Sequence, residues 1–220
     1  MNINAAAREL SMKRVFDLAL STISLILLSP VLLAVAAFIW LCDGRPFLFV
    51  QMRSGLHGKP FGIHKFRTMT EDRDAAGELL PDRDRLKSWG SLIRAFSLDE
   101  LPQLIDIVKG DMSIVGPRPL LHSYVHRYNA HQKRRLNVKP GLTGWSQIQG
   151  RNSLSWEDRF DLDVWYVEHH SFWLDMRIIC RTFRPVFNRN GILHSKELPM
   201  VEFHGDTGEG FHSSGEHKVG

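Results

Sequence analysis

Residues 18–41, "LALSTISLILLSPVLLAVAAFIWL", decide the fold class, because this run contains no charged side chain. A helix of this length can cross the roughly 30 Å hydrocarbon core of a bilayer. Pro30 lacks a backbone N–H group and predicts a kink near residues 26–29, where Ser29 can donate a hydrogen bond to a freed carbonyl. Two topologies are open: a single kinked span, or a helix-break-helix whose ends lie on the same side of the membrane.

The whole chain has the composition of one domain that meets an anionic partner. Its 220 residues have a net charge of +4 and a pI near 9.2, which favours a membrane surface, a phosphorylated substrate or nucleic acid. The two cysteines, Cys42 and Cys180, have no metal-ligand spacing and form no disulfide framework, as is typical of a reducing compartment. The sequence contains no Walker loop, G-x-G-x-x-G run or zinc-spaced Cys/His set.

Local patterns predict a hairpin and several helices after the apolar run. Two extended pieces flank a glycine-containing turn over residues 54–59, which predicts a β-hairpin. The later helical stretches include two that are amphipathic and contain Trp156, Trp165 and Trp173, so they are expected to pack on the core or to lie in a membrane interface. The helical stretches are residues 86–108, with a break near 96–97, and residues 123–136, 155–169 and 172–187.

The stretch "SLDELPQL", residues 97–104, is the strongest local signal for chemistry. Ser97 and Glu100 have the spacing of a capping box, which predicts a helix start with Asp99 and Glu100 in its first turn. The positive end of a helix dipole lowers the pKa of such carboxylates and favours a nucleophile or a metal ligand. Acidic residues in a first turn are also ordinary helix chemistry, so the spacing alone leaves both interpretations open.

Basic side chains around this stretch are candidates for binding phosphate. Arg94 lies just upstream, and Arg118 lies downstream in a stiff Pro-Arg-Pro segment that can aim a guanidinium at phosphate oxygens. Lys65 in "HKFRT" and Arg151 in "QGRN" are further candidates. Each has a structural alternative: a rigid turn for Arg118, and solvated or turn-forming charges for Lys65 and Arg151.

A set of motifs follows in order between residues 13 and 187: "KRVFD", "SP" within the apolar run, "KFRTM", "SLDELPQL", "GDMSIVGPRPLL", "KPGLTGWSQIQGRN" and "FWLDMRII". Together they resemble the bacterial sugar transferases known as small monotopic phosphoglycosyl transferases. The stretch "RDAAGELLPD", residues 73–82, resembles the small members that start N-linked glycan assembly with phospho-N,N'-diacetylbacillosamine. Asp175 in "FWLDM" matches a family aspartate, although helix capping or pairing with Arg177 or Arg181 would explain it equally well.

The resemblance implies transfer of a sugar 1-phosphate from a UDP-sugar to polyprenyl phosphate, with release of UMP and a requirement for Mg²⁺. Asp99 would attack the β-phosphorus and form an aspartyl phospho-sugar, while Glu100 would hold Mg²⁺ together with Asp99, or assist a displacement. The expected donor is an N-acetylated amino sugar such as UDP-N,N'-diacetylbacillosamine. Alternatives are the same chemistry with UDP-glucose or UDP-galactose, or an inactive scaffold of a glycan-assembly complex. The residues that would contact phosphates are Arg94, Arg118, Lys65 and Arg151.

The resemblance also favours the re-entrant topology, with the helix broken at Ser29 and Pro30 so that both ends lie in the cytosol. The expected fold class is α/β: a mainly helical cytosolic domain with a small β-hairpin or sheet, the re-entrant helix-break-helix, and interfacial amphipathic helices. The expected segments are an N-terminal tail (1–11), the re-entrant helix (12–42), a phosphoglycosyl transferase domain (43–200) and a disordered tail (201–220).

The expected location is the bacterial inner membrane, to which the protein would attach as a monotopic enzyme with its catalytic domain facing the cytoplasm. The expected partners are the UDP-sugar, polyprenyl phosphate, inner-membrane phospholipid and downstream glycosyltransferases. Nucleic acid is not expected as a partner, because the basic residues are dispersed and match no DNA- or RNA-binding signature.

Overall fold

A long N-terminal helix packs on a mainly helical domain that contains two small β-sheets, which confirms the α/β class. A computed structural model describes residues 3–150, 154–187 and 202–205, with side chains described in 11–150, 154–182 and 202–205. The helices are α1 (Ile3–Asp43), α2 (Asp82–Arg85), α3 (Ser88–Ala95), α4 (Gln103–Lys109), α5 (Ala130–Lys133), α6 (Trp145–Gln149), α7 (Trp156–His169) and α8 (Phe172–Phe187). The strands are β1 (Leu48–Ser54), β2 (Pro60–Phe66), β3 (Ser113–Val115) and β4 (Gly141–Thr143).

The predicted hairpin is confirmed by the pairing of β1 with β2. The strands run antiparallel, from Leu48 opposite Phe66 to Ser54 opposite Pro60. Lys65 lies next to the last residue of β2, so the hairpin determines where this cation stands.

Strands β3 and β4 form the second sheet, which is parallel, with Ser113 opposite Gly141. A Cβ atom on Gly141 would lie 2.1 Å from the backbone nitrogen of Gly116, so only glycine permits this close approach. Because β3 leads directly into Gly116 and the Pro-Arg-Pro segment, the sheet fixes the point from which that segment starts.

The apolar run forms a helix that continues through Pro30. The Ser29 hydroxyl donates a hydrogen bond of 2.8 Å to the Ile26 carbonyl, which is the group that Pro30 leaves without its usual N–H partner. The expected break into two helices is therefore not observed in the backbone. By length and composition, α1 could cross a membrane over Ser11–Asp43. The helix also includes residues 3–11, which the sequence pattern assigned to a tail.

Helix α1 lies against the domain along much of its length. Leu28 packs on a core cluster that contains Ile107, and Ile39 is buried with Phe66 in a second cluster. One face of α1 therefore belongs to the core of the domain. The opposite face is apolar and exposed, and includes Val15, Ile23, Ile26, Leu27, Leu33 and Leu41.

Aromatic side chains form a third cluster in the domain. Tyr128, Phe160 and Phe203 are buried there, and Trp156 stacks on Phe160 with ring centroids 5.8 Å apart. Trp156 thus packs against the core of the domain. Phe203 belongs to the segment predicted as a disordered tail, where residues 202–205 pack on the domain because Phe203 has apolar surface to bury; the rest of that tail lies outside the described residues.

Helices α7 and α8 confirm the two amphipathic helices predicted near the C-terminus. Trp173 on α8 is 80% exposed, whereas Trp165 on α7 stacks on Trp145 with centroids 4.9 Å apart. Of the three tryptophans expected at an interface, Trp173 is thus the one that projects clearly from the domain.

The helix predicted over residues 123–136 is divided into α5 and two flanking 3-10 segments, His122–Arg127 and Arg134–Asn137. The physical reason is a capping box between Asn129 and Gln132, which starts a new helix in the middle of the predicted one.

Candidate active site

The two candidate acids lie on a short turn between α3 and α4. The chain leaves α3 through Ser97, whose φ of 54° is in the left-handed region that non-glycine residues rarely adopt. A single 3-10 turn, Leu98–Glu100, follows, and α4 begins only at Gln103. The predicted capping box is wrong: in the described chain the Ser97 side chain caps no N–H group, and the Glu100 side chain turns toward two cations.

Glu100 is held between positive charges from two parts of the domain. Lys65 Nζ lies 2.8 Å, and Arg118 Nη2 2.7 Å, from the same atom, Glu100 Oε1. Burial alone would raise the pKa of Glu100, but the charges of Arg118 and Lys65 outweigh it and hold that pKa well below its ordinary value. Glu100 is therefore ionised at physiological pH and can hold cations, but it cannot donate a proton.

Asp99 has the opposite electrostatic surroundings. Asp99 is only 7% exposed. Burial, together with the charge of Glu100, raises the pKa of Asp99 above its ordinary value. The lowered pKa predicted from a helix dipole is wrong for Asp99, because the residue precedes α4 and is desolvated. Among the described residues, no side chain or N–H group donates a hydrogen bond to its carboxylate. A buried carboxylate in this state suits a nucleophile.

Arg94 acts on Asp99 from α3 and is oriented by a threonine. Its Nε donates to Thr68 Oγ1 at 2.9 Å, and its positive charge partly opposes the raised pKa of Asp99. Thr68 is the second residue after β2, the hairpin strand that carries Lys65. One end of the hairpin therefore determines the position of Lys65 and the orientation of Arg94.

Arg118 is fixed through its backbone by a buried ion pair, Arg135 and Asp163, which we call the sealed pair. Arg135 Nη2 donates to the Arg118 carbonyl at 2.7 Å and to Asp163 Oδ2 at 2.8 Å. The Arg135 and Asp163 side chains are 2% and 1% exposed. The two residues are 28 positions apart, so no local spacing in the sequence signals their pairing.

Arg53 adds a further positive charge behind Arg118. Burial and the charge of Arg118 lower the pKa of Arg53 to about 10, and nearby Glu100 partly opposes this shift. Arg53 was not among the site residues predicted from the sequence. One feature of the sequence could have indicated it: Arg53 is the charged residue in β1, a strand that is otherwise uncharged.

The remaining predicted residues have separate outcomes. Arg151 lies outside the described residues, so its role stays a prediction. Asp175 pairs with Lys13 on α1 and accepts a hydrogen bond from the Tyr166 hydroxyl at 2.7 Å, rather than pairing with either nearby arginine. The predicted site residues that the structure brings together are Lys65, Arg94, Asp99, Glu100 and Arg118.

Asp99 and Glu100, which we call the acid pair, fit a Mg²⁺ ion that is shared with a substrate. Carboxylate oxygens are the ligands that Mg²⁺ prefers, and both hydrogen bonds to Glu100 use Oε1. In the part of the chain that the structure describes, no group of three or more His, Cys, Asp or Glu side chains could enclose a metal. Mg²⁺ commonly uses one or two carboxylates together with substrate phosphates, so two are sufficient.

An acid pair among cations is typical of enzymes that act on phosphorylated substrates, and α1 is by length and composition able to cross a membrane. The sequence profile of the family "Bacterial sugar transferase" matches residues 8–189. The chain therefore belongs to the bacterial sugar transferase family, whose members are sugar-1-phosphate transferases.

Three relatives show how far the similarity extends. The "Uncharacterized sugar transferase EpsL" of Bacillus subtilis is 51% identical over 203 residues, which are 92% of this chain and 99% of the relative. The "Undecaprenyl-phosphate galactose phosphotransferase" of Salmonella typhimurium is 36% identical over 82% of this chain and 41% of the relative. The "UDP-glucose:undecaprenyl-phosphate glucose-1-phosphate transferase" of Escherichia coli is 38% identical over 78% of this chain and 39% of the relative. The chain thus spans about two fifths of the last two proteins.

Proposed function

We propose that this enzyme transfers glucose 1-phosphate or galactose 1-phosphate from a UDP-sugar to undecaprenyl phosphate, with release of UMP. The observation that carries the proposal is Asp99, a buried carboxylate without a hydrogen-bond donor among the described residues, under the influence of Lys65, Arg94 and Arg118. The acceptor and the two sugars are those in the names of the Salmonella and Escherichia relatives.

The reaction proceeds in two displacements at one phosphorus. In the first, an Asp99 oxygen attacks the β-phosphorus of the UDP-sugar, the bond to the bridging oxygen breaks, and UMP leaves with the electron pair. In the second, a phosphate oxygen of undecaprenyl phosphate attacks the same phosphorus, and the bond to Asp99 breaks. The carboxylate is restored and the lipid carries a diphospho-sugar. This division lets a soluble and a lipid substrate react in turn.

The cations reduce the repulsion between the attacking carboxylate and the phosphates. Glu100 holds Lys65 and Arg118, Thr68 orients Arg94, and the charges of all three cations act on Asp99. Mg²⁺, with Asp99 and Glu100 as its ligands, would neutralise phosphate charge as a Lewis acid. Arg151 is proposed as a further phosphate contact.

The hexose donors are preferred to UDP-N,N'-diacetylbacillosamine, the donor first expected from the sequence. The stretch that suggested bacillosamine, residues 73–82, is an exposed loop that closes on itself: Asp74 Oδ1 accepts hydrogen bonds from the N–H groups of Ala76 and Glu78, both at 2.9 Å. These bonds are local to the loop, whereas the names of the relatives support glucose and galactose.

We also propose that both ends of α1 lie on the cytoplasmic side of the inner membrane. A helix of 41 residues is roughly 60 Å long at about 1.5 Å per residue, twice the hydrocarbon thickness. Yet Lys13 at the start of the apolar span Ser11–Asp43 and Asp43 at its end both form ion pairs with the same domain. A single span would carry one end away from that domain. The exposed apolar face of α1 and Trp173 would then contact phospholipid, close to the lipid phosphate.

The first experiment is intact-mass measurement of the purified full chain with Mg²⁺ and UDP-glucose, UDP-galactose or UDP-N,N'-diacetylbacillosamine, without lipid acceptor. We expect one hexose-phosphate adduct with release of UMP, and discharge of the adduct on addition of undecaprenyl phosphate. Asp99→Asn should form no adduct, while the matched control Asp161→Asn, at an exposed aspartate on α7, should behave as wild type. An adduct with the bacillosamine donor alone would show that the proposed sugar is wrong. No adduct and no UMP release with any donor, even after addition of the lipid, would support an inactive scaffold.

The topology is tested by cysteine labelling in vesicles whose cytoplasmic face is outside. In a Cys180→Ser background, the exposed Cys42 reports on one end of α1, and Ser11→Cys in a Cys42→Ser, Cys180→Ser background reports on the other side of the apolar run. A membrane-impermeant maleimide should label both positions. Labelling of only one position would establish a single span.

A further inference from the structure

Two points on α1, Asp17 in its N-terminal half and Asp43 at its C-terminal end, are fastened to the segments that hold Arg118 and Arg94. We propose that Asp17 and Asp43 on α1 are positioning residues that set those cations around the acid pair, so that the membrane helix determines the geometry of the active site. This inference rests on the proposed function, and gives α1 a role besides attachment to lipid.

The C-terminal end of α1 is fixed by Asp43. Its Oδ2 lies 2.8 Å from Arg67 Nη2, and its Oδ1 lies 2.6 Å from Lys87 Nζ. Arg67 Nη2 also donates to the Asp43 carbonyl at 2.9 Å. Asp43 therefore joins the end of the membrane helix to two separate segments of the domain.

Both of these segments meet at Thr68, the residue that orients Arg94. Arg67 precedes Thr68, and the N–H group of Lys87 donates to the Thr68 carbonyl at 3.2 Å. Helix α3 packs tightly there, because a Cβ atom on Gly90 would lie 2.4 Å from the same carbonyl oxygen. Since Thr68 Oγ1 accepts from Arg94 Nε, a shift of Asp43 would be passed to Arg94.

The N-terminal part of α1 is fixed by Asp17, which is 3% exposed. Its carboxylate accepts a hydrogen bond from the Ser113 hydroxyl at 2.8 Å and another from the Ile114 N–H group at 3.2 Å. Lys13 Nζ donates to the Val115 carbonyl at 3.2 Å. Every residue of β3 is thus bound to α1.

Strand β3 leads to Arg118 with little freedom between them. Gly116 donates its N–H group to the Thr143 carbonyl at 2.9 Å, and the prolines at 117 and 119 stiffen the backbone on either side of Arg118. Arg118 then reaches Glu100 at 2.7 Å. A shift of Asp17 would therefore be passed to Arg118.

The use of carboxylates at these positions has a physical reason. Burying a charged side chain in or near a membrane helix is costly unless it is paired, so a leucine would serve simple packing better. Apolar contacts permit sliding, whereas hydrogen bonds to β3 and ion pairs to Arg67 and Lys87 fix the register. A displacement of about 1 Å at a reaction centre can reduce the rate by about 10²-fold.

The test combines single and double substitutions and measures the rate of adduct formation in vesicles. Asp43→Asn should lower that rate about ten- to a hundredfold. In an Arg94→Ala background, Asp43→Asn should lower the rate by less than about threefold, because the Arg94 side chain that Asp43 positions is gone. In an Arg118→Ala background, Asp43→Asn should still cause its full loss of rate. Asp17→Asn should lose its effect on the rate in the Arg118→Ala background and keep it in the Arg94→Ala background. Asp43→Glu should recover part of the rate, and Asp161→Asn is the matched control.

Hydrogen exchange of the same vesicle-bound proteins gives a measurement that does not depend on activity. Asp17→Asn, or Ser113→Ala from the domain side of the same bond, should speed exchange in residues 113–118 and leave 64–69 unchanged. Asp43→Asn should do the opposite. Such local effects are expected if residues 113–118 are held by Asp17 and residues 64–69 are held separately by Asp43.

The outcomes separate this inference from the proposed function. If the variants lower the rate equally in every background and speed exchange throughout the domain, the aspartates only stabilise the fold and the positioning role is wrong. Variants as active as wild type would overturn it as well. If wild type forms no adduct with any UDP-sugar while the exchange effects stay local, the proposed function fails. The structural link from α1 to residues 113–118 and 64–69 would still stand.

Discussion

Two buried groups of charges meet at Arg118 and differ in how fully they are satisfied. In the sealed pair, Asp163 accepts from Arg135 at one oxygen and from the Ser146 hydroxyl at the other, with both charged side chains almost inaccessible. Each charge there has a partner, and Arg135 also holds the Arg118 carbonyl.

The acid pair and the cations around it also combine carboxylates with basic side chains, but their partners are fewer. Glu100 takes two cations at a single oxygen, and Asp99 accepts no hydrogen bond from the described residues. Positive charge is thus in excess around a carboxylate whose pKa is raised. Comparison of the two groups teaches that the number of partners, rather than the residue types, separates a structural ion pair from a site that can accept a substrate.

The largest expected effect comes from Asp99→Asn. Loss of the nucleophile should lower UMP release by roughly 10⁴-fold or more. Stability should not fall: the pKa of Asp99 is raised in the folded state, so its favourable contribution is present below the unfolded pKa and is lost as pH rises. The thermal midpoint near pH 7 should therefore be unchanged or higher. A clear drop in the midpoint would place Asp99 among the structural charges instead.

Asp163→Asn should have the opposite consequence, a loss of stability. Removing one charge leaves Arg135 buried without its counter-ion, which should lower the free energy of unfolding by about 3–5 kcal/mol. Asp161→Asn on the same helix is the control, because Asp161 is 71% exposed at its side chain and should change stability by less than about 0.5 kcal/mol. Denaturant unfolding of the full chain in detergent measures both. Equal effects at the two positions would contradict the comparison.

The pH dependence of the reaction tests the charge balance at Asp99. The nucleophile must be ionised, and burial and Glu100 raise its pKa, so the acidic limb of kcat/KM should lie above the ordinary range of an aspartate. Arg94→Gln removes a charge that opposes this shift, so the limb should move to still higher pH. The exposed Arg83→Gln is the control. A limb that stays in place, or moves down, would remove Arg94 from the electrostatics of Asp99.

The comparison also explains what the sequence could predict. The hairpin, α7, α8 and the acidic stretch were found because their signals are local: alternation, helical periodicity and neighbouring motif residues. The raised pKa of Asp99 was missed because it depends on burial by residues far along the chain. The continuous helix at Pro30 was missed although its local device, the Ser29 hydroxyl, had been identified.

The contacts that organise the site join residues far apart in the sequence. The spacing of residues within a local motif therefore cannot predict these contacts. Lys13 and Asp175 are 162 positions apart, and Arg53 reaches Pro119 across 66. From the sequence, Lys13 entered only as the first residue of the "KRVFD" motif before the apolar run. In the structure it is an internal partner of the domain.

The smallest expected effect is that of Ser146→Ala, which removes one hydrogen bond from the sealed pair and leaves the ion pair intact. Asp163 keeps Arg135 as a partner, so the free energy of unfolding should fall by only about 1 kcal/mol. The rate of transfer should be unchanged, because Arg135 still holds the Arg118 carbonyl. Ser91→Ala, at an exposed serine of α3, controls for the loss of a hydroxyl. A fall in rate without a matching fall in stability would mean that the sealed pair tunes Arg118 during the reaction, and the two groups of charges would then act as one site.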